Sequence, residues 1–170
     1  MNLTFNERLS LINQLEILKN LKNTNEYDNY IEILKNGYTF EYTEMFKDII
    51  REEISEEICK EVIDILEVYD EIAYSNNILK ENGQEFIDNI IGFCGFDANH
   101  TIEILYMSYA EFVVKKTQRF ESLKSVNFNS HCEMLNEYKN VVEKYKHLKS
   151  TKNYIENNRL TLEEIKNLLN

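Results

Sequence analysis

Between Ser55 and Leu79, apolar residues return at spacings of four and three: Ile58, Val62, Ile65, Tyr69 and Ile72. Cys59, Leu66 and Ala73 lie beside them, while Lys60, Glu61, Asp64, Glu67, Asp70 and Glu71 fall on the opposite side. That spacing describes one helix with a broad buried stripe and a wet face. At 1.5 Å per residue the stretch spans about 37 Å. Ser55 can cap its start, Glu52, Glu53, Glu56 and Glu57 suit the positive end of its dipole, and Gly83 offers a left-handed exit. A helix of that length sets the size of everything packed around it.

The remaining chain reads as shorter helices. Thr4 and Glu7 form a capping box ahead of a helix over 5–22 with Leu11, Leu15 and Leu18 on one face and Ile12 and Leu21 beside them. A second helix is expected over 26–36, carrying Tyr27, Tyr30, Ile31 and Leu34, with Gly37 as its C-cap. Tyr38, Phe40 and Tyr42 alternate as a strand would, but no partner strand is evident. A loop leading into a short helix over 43–51 is the preferred reading. Phe86, Ile87, Ile90 and Ile91 suggest a docking helix, and Gly92 to Asp97 a tight apolar bend. Asp97 or Asn99 can then cap a helix ending near Thr117. Ser130 with Glu133 predicts a second capping box and a helix over 131–149. Residues 151–158 read as a polar, loose connection. Thr161 with Glu164 predicts a third box and a short final helix.

With no proline and only four glycines among 170 residues, nothing interrupts these helices. The expected fold class is all-α: one multi-helix, bundle-like domain over 1–170, organised around one long central helix. A formal charge of −11 disfavours non-specific contact with a phosphate backbone. The three cysteines, 59, 94 and 132, make no CxxC pair and suit reduced thiols in the cytoplasm. The start lacks a signal-peptide pattern, and no apolar run reaches the roughly 20 residues of a membrane span.

A set of ordered residues carries a resemblance. It includes Leu11-Ile12-Asn13-Gln14, Gly37-Tyr38, Cys59 with Val62, Asp64, Ile65 and Tyr69, and Phe93-x-Gly95-Phe96-Asp97. Glu103, Tyr106, Tyr109 and Phe112 follow, then Arg119-Phe120, Phe128-Asn129-Ser130-His131 and Tyr138. The chain resembles the YfbU family over nearly its whole length. The resemblance implies a fold and a bacterial source, and it implies no reaction.

Chemistry is harder to find. Asp97, His100 and Glu103, with Cys94 nearby, have the spacing of metal ligands only if the following helix begins early. The competing reading, a capping Asp97, a buried Cys94 and a solvent-facing His100, is preferred, and no metal or cofactor is expected. There is no nucleophile elbow, Walker loop or dinucleotide fingerprint. His131 beside Cys132 is not a dyad, because neighbours on a helix point about 100° apart. The best pocket combines Asp97, Arg119, Asn129 and His131, where Arg119 could clamp Asp97 or, with His131, hold a small anion. Lys139, Lys144, Lys146, Lys149 and Lys152 form a basic face without a base-reading motif.

The expected function is therefore a cytoplasmic interaction or regulatory protein without catalysis of its own, with an unidentified protein partner. An enzyme or anion-binding protein using the Asp97, Arg119 and His131 region is the alternative, and a nucleic-acid-associated regulator the second. A homodimer is expected, because the hairpin over 5–36 and the off-stripe Ile63 and Val68 hold more apolar surface than one small bundle covers.

Overall fold

The structure is a computed structural model describing residues 2–47, 53–88, 92–151 and 159–170. The chain separates into two compact units, Met1–Glu53 and Ile54–Asn170.

The first unit holds α1 (Phe5–Lys22), α2 (Asp28–Asn36) and α3 (Glu41–Phe46). The Thr4–Glu7 capping box forms as the spacing predicts: Thr4 Oγ1 accepts the Glu7 N–H and Glu7 accepts the Thr4 N–H. Gly37 ends α2 in the left-handed region at φ 70°. The alternation at Tyr38 to Tyr42 is not a strand, because α3 begins at Glu41 and turns Tyr42 and Met45 inward. That is earlier than expected, and residues 48–51 of the expected helix lie outside the described residues. Leu34, Tyr42 and Met45 form this unit's core, with Leu11, Ile12 and Leu15 of α1 packed against them.

The second unit is built on α4 (Glu56–Glu81), the longest helix, with Ser55 Oγ accepting the Ile58 N–H. Around α4 pack α5 (Glu103–Lys116), a 3-10 turn (Glu121–Leu123), α6 (Leu135–Thr151) and α7 (Leu162–Leu169). The stripe read from the sequence is the core: Val62, Ile65, Tyr69 and Ile72 are buried with Tyr106 and Val113 of α5, Tyr138 and Val142 of α6, and Ile165 of α7. Val68, expected outside the stripe, is buried too, because helices pack on α4 from more than one side. Ile63 is half-buried against the same core.

Two buried polar residues near the end of α4 fasten chain segments that lack secondary structure. Asn76 donates to Ile87 O at 3.1 Å and accepts the Ile87 N–H at 2.9 Å, replacing a backbone partner. Residues 84–87 are accordingly not helical, and 89–91, the rest of the expected docking helix, lie outside the described residues. Ser75 Oγ accepts the Leu160 N–H at 3.1 Å and so seats the lead into α7. The Thr161–Glu164 box forms there. Residues 152–158, read from the sequence as loose, also lie outside the described residues. Among the described residues no helix is long and apolar enough to cross a membrane.

Candidate functional site

Two loops meet beside α5 and α6. Phe96 donates its N–H to Phe128 O at 2.9 Å and accepts the Ser130 N–H at 3.1 Å, a single parallel bridge. The approach is possible because residue 95 is glycine. Its φ is +90°, and a Cβ there would lie 2.2 Å from the carbonyl carbon and oxygen of Phe128. Below the bridge Phe93, Phe96, Phe128, Tyr69 and Tyr138 make edge and tilted ring contacts at 5.1–6.0 Å between centroids, geometries that aromatic quadrupoles favour. The Tyr138 hydroxyl donates to Gly95 O at 2.8 Å, accepts the Cys94 N–H at 3.1 Å and lies 3.2 Å from Cys94 Sγ.

The junction is closed by Glu103, which is 2% exposed. Its carboxylate accepts the N–H of Asp97 at 2.8 Å, Met134 at 2.9 Å and Leu135 at 2.8 Å. The last two are free donors at the start of α6, so a carboxylate from another helix does the work of an N-cap. This corrects the reading of Ser130 and Glu133 as a capping box. Ser130 Oγ instead donates to Cys132 O at 2.6 Å, and α6 begins at Leu135, after His131 has taken a left-handed turn at φ 58°. The cap of α5 also differs from expectation. Asp97 Oδ1 accepts the Asn99 N–H at 2.9 Å, while His100 Nδ1 accepts the Glu103 N–H at 3.3 Å.

Of the four residues singled out from the sequence, three lie on the bridged loops. Asn129 Oδ1 accepts the N–H of Ala98 at 3.3 Å and of His131 at 3.1 Å, tying one loop to the other. Asp97 holds its own turn. His131 is exposed. Arg119 is exposed as well and stacks over the Phe120 ring at 4.9 Å. No ion pair joins Arg119 to Asp97 among the described residues, so the clamp on these loops is Glu103, which the sequence reading placed in the family resemblance and among the metal-ligand candidates but not in the pocket. Glu103 faces α6, and Asp97, His100 and Glu103 do not converge on one point: among the described residues no group of three or more His, Cys, Asp or Glu could hold a metal ion.

A charged seam runs between α4 and α6. Lys139 pairs with Glu61 at 2.9 Å, Tyr106 donates to the same carboxylate, and Lys146 pairs with Asp64. Burial pushes the Glu61 carboxyl up, but the Tyr106 hydroxyl and the Lys139 ammonium outweigh it and hold it below the usual range. Two lysines of the expected nucleic-acid face are thus engaged by acids of this chain. The seam lines a cavity of about 180 Å³ with Val142 and Glu143. A groove of about 790 Å³ beside α7 is lined by Lys144 and Lys166, by Glu137 and Asp88, and by the apolar Val141 and Leu168. Its mixed charge selects no ligand sign.

The sequence of these elements matches the YfbU domain model over residues 1–170, across both units. The chain is also 38% identical to the UPF0304 protein MJECS11 of Methanocaldococcus jannaschii, over 170 aligned positions covering 96% of each chain.

Proposed function

The chain belongs to the YfbU domain family, and from that premise we propose that it acts in the cytoplasm by contact with other proteins and has no catalysis of its own. One observation carries this reading. Among the described residues, seven of the eleven large apolar side chains left exposed lie in the first unit: Phe5, Leu9, Ile17, Leu18, Leu21, Tyr38 and Phe40. Exposed apolar surface concentrated in one small unit is the mark of a contact surface. The polar groups of the loop junction point the same way. Glu103, Asp97 and Asn129 each accept backbone N–H groups, and acceptors so engaged position loops rather than substrates.

Screening the pure protein for phosphate release, ester and peptide hydrolysis and thiol reactivity tests this. No turnover is expected. A turnover abolished by His131→Ala in a variant that remains folded would overturn the reading.

A second reading rests on a separate observation. Gln118, Phe120 and His131 are non-glycine residues with φ of 57°, 57° and 58°. Such backbone clusters at ligand sites. A small anion held by Arg119 and His131 near Asp97 and Asn129 would use them. Calorimetric titration with inorganic phosphate, compared with Arg119→Ala, decides it: heat lost in the variant supports the site, and no heat in either removes it.

A further inference from the structure

The helix α1 has apolar residues on two sides. Leu11, Ile12 and Leu15 pack on its own unit's core. The opposite side is centred on Asn13 with Leu9 and Ile17 beside it, and the same every-fourth-position row winds on to Phe5 and Leu21 at its two ends. Its apolar members are 69%, 46%, 57% and 78% exposed, and α1 contains no buried residue. The ridge reads alike in both directions from Asn13, with an aliphatic residue four positions away on each side and a large apolar residue eight positions away. A two-fold axis passing Asn13 would set Leu9 of one copy against Ile17 of the other, with Phe5 and Leu21 turned toward the flanks.

The charges on α1 are few, and most sit near its ends. Glu7 lies in its first turn and Lys19 and Lys22 in its last. Lys19 and Lys22 are engaged within the unit, by Asp28 and the Tyr27 hydroxyl, and an antiparallel pair opposes the two helix dipoles. The helix carries two acids, Glu7 and Glu16, against three bases, Arg8, Lys19 and Lys22, in a chain whose formal charge is −11. A second copy therefore meets less repulsion on α1 than on the acidic remainder. Ridges of i±4 residues interdigitate in the commonest helix-packing class, and a self-complementary patch with two-fold closure is the commonest oligomer.

We propose that the outer ridge of α1 is the interface of a symmetric homodimer, in which two copies of α1 cross antiparallel about Asn13. The proposal rests on reading the chain as an interaction protein and commits that surface to a second copy. Within the hairpin over 5–36, Leu11 and Leu15 belong to the unit's own core, and Leu9, Asn13 and Ile17 make the centre of the interface, flanked by Phe5 and Leu21.

Sedimentation equilibrium of the full chain at micromolar concentration should give twice the 20.3 kDa chain mass. Ile17→Glu should keep its helical circular dichroism and weaken association on the order of 30-fold, as loss of a central apolar anchor does. In a Cys132→Ser background, Asn13→Cys should form a disulfide-linked dimer on mild oxidation, because residues at a two-fold axis meet within bonding distance. Asn36→Cys, at the end of α2, should not. A concentration-independent mass of one chain overturns the proposal. So does a dimer that neither weakens with Ile17→Glu nor cross-links through Asn13→Cys. Should Ile17→Glu fail to fold, the cross-link decides alone. These outcomes are separate from turnover, which bears on the interaction reading.

Discussion

The carboxylate of Glu103, on α5, accepts the backbone N–H of Leu135, the first residue of α6, at 2.8 Å. The same side chain holds Asp97 N–H and Met134 N–H, so one residue joins α5, α6 and the glycine loop. Glu103→Ala leaves three donors without their acceptor at a buried position. Hydrogen bonds to a charged group contribute roughly 1.5–3 kcal/mol each and are not additive, so a loss of about 3–5 kcal/mol is expected in urea denaturation. Glu103→Gln, which keeps one acceptor oxygen, should lose less. Equal stability of Glu103→Ala and the parent would refute the clamp.

Gly95 and Gly83 both have positive φ, 90° and 67°, but their surroundings differ. A Cβ at residue 95 would meet Phe128 backbone at 2.2 Å, whereas residue 83 has nothing within 4 Å. Gly83→Ala should cost only the left-handed backbone penalty, about 1 kcal/mol. Gly95→Ala should cost more than about 4 kcal/mol or prevent folding, because the opposing atoms are backbone and cannot rotate away. Thermal melts of the two variants side by side check the contrast.

Tyr138→Phe removes a buried hydroxyl that serves the backbone of both Cys94 and Gly95. Its ring contacts remain, so the loss should come from the two unpaired backbone groups, about 2–3 kcal/mol. Cys94 should also react faster with a thiol reagent, since its loop loses the anchor. Unchanged melting and unchanged labelling would refute this role.

Alkaline pH should destabilise the fold through its tyrosines. Burial pushes the Tyr69 and Tyr138 hydroxyls well above the ordinary value of 10, and burial together with the Glu61 carboxylate does the same to Tyr106. A raised pKa in the folded state means that the unfolded chain releases these protons first. Stability is therefore full below about pH 10 and falls as pH rises beyond it, by up to about 1.4 kcal/mol per pH unit for each of Tyr69 and Tyr138. Tyrosinate absorbance followed with circular dichroism should show these residues ionising only as the helices melt.

The Lys139–Glu61 pair should contribute little. Its side chains are 44% and 41% exposed, and exposed pairs contribute about 0.2–1 kcal/mol and weaken with salt. Lys139→Met should cost less than about 1 kcal/mol, with the difference shrinking at high ionic strength. A larger, salt-insensitive loss would place the pair among the main supports of the α4–α6 contact.

Legibility from sequence followed reach along the chain. The stripe of α4, the boundaries of α1, the Thr4–Glu7 and Thr161–Glu164 boxes and the left-handed exit at Gly37 involve partners within about four residues. Propensity, capping and periodicity act over that range, and the sequence by itself determined them. The Ser130–Glu133 pair has the same local signature, yet α6 starts later, because Glu103 supplies an acceptor from 32 residues away. Asn76 reaches Ile87 across eleven residues in the same way, and Tyr138 reaches Cys94 across forty-four. A buried N–H is satisfied by whichever acceptor folding brings to it, and no spacing rule names that acceptor. The two faces of α1 show the same limit. Apolar residues on both sides fit helix periodicity equally well, and only the packing of Leu34, Tyr42 and Met45 against Leu11, Ile12 and Leu15 decided which side turns inward.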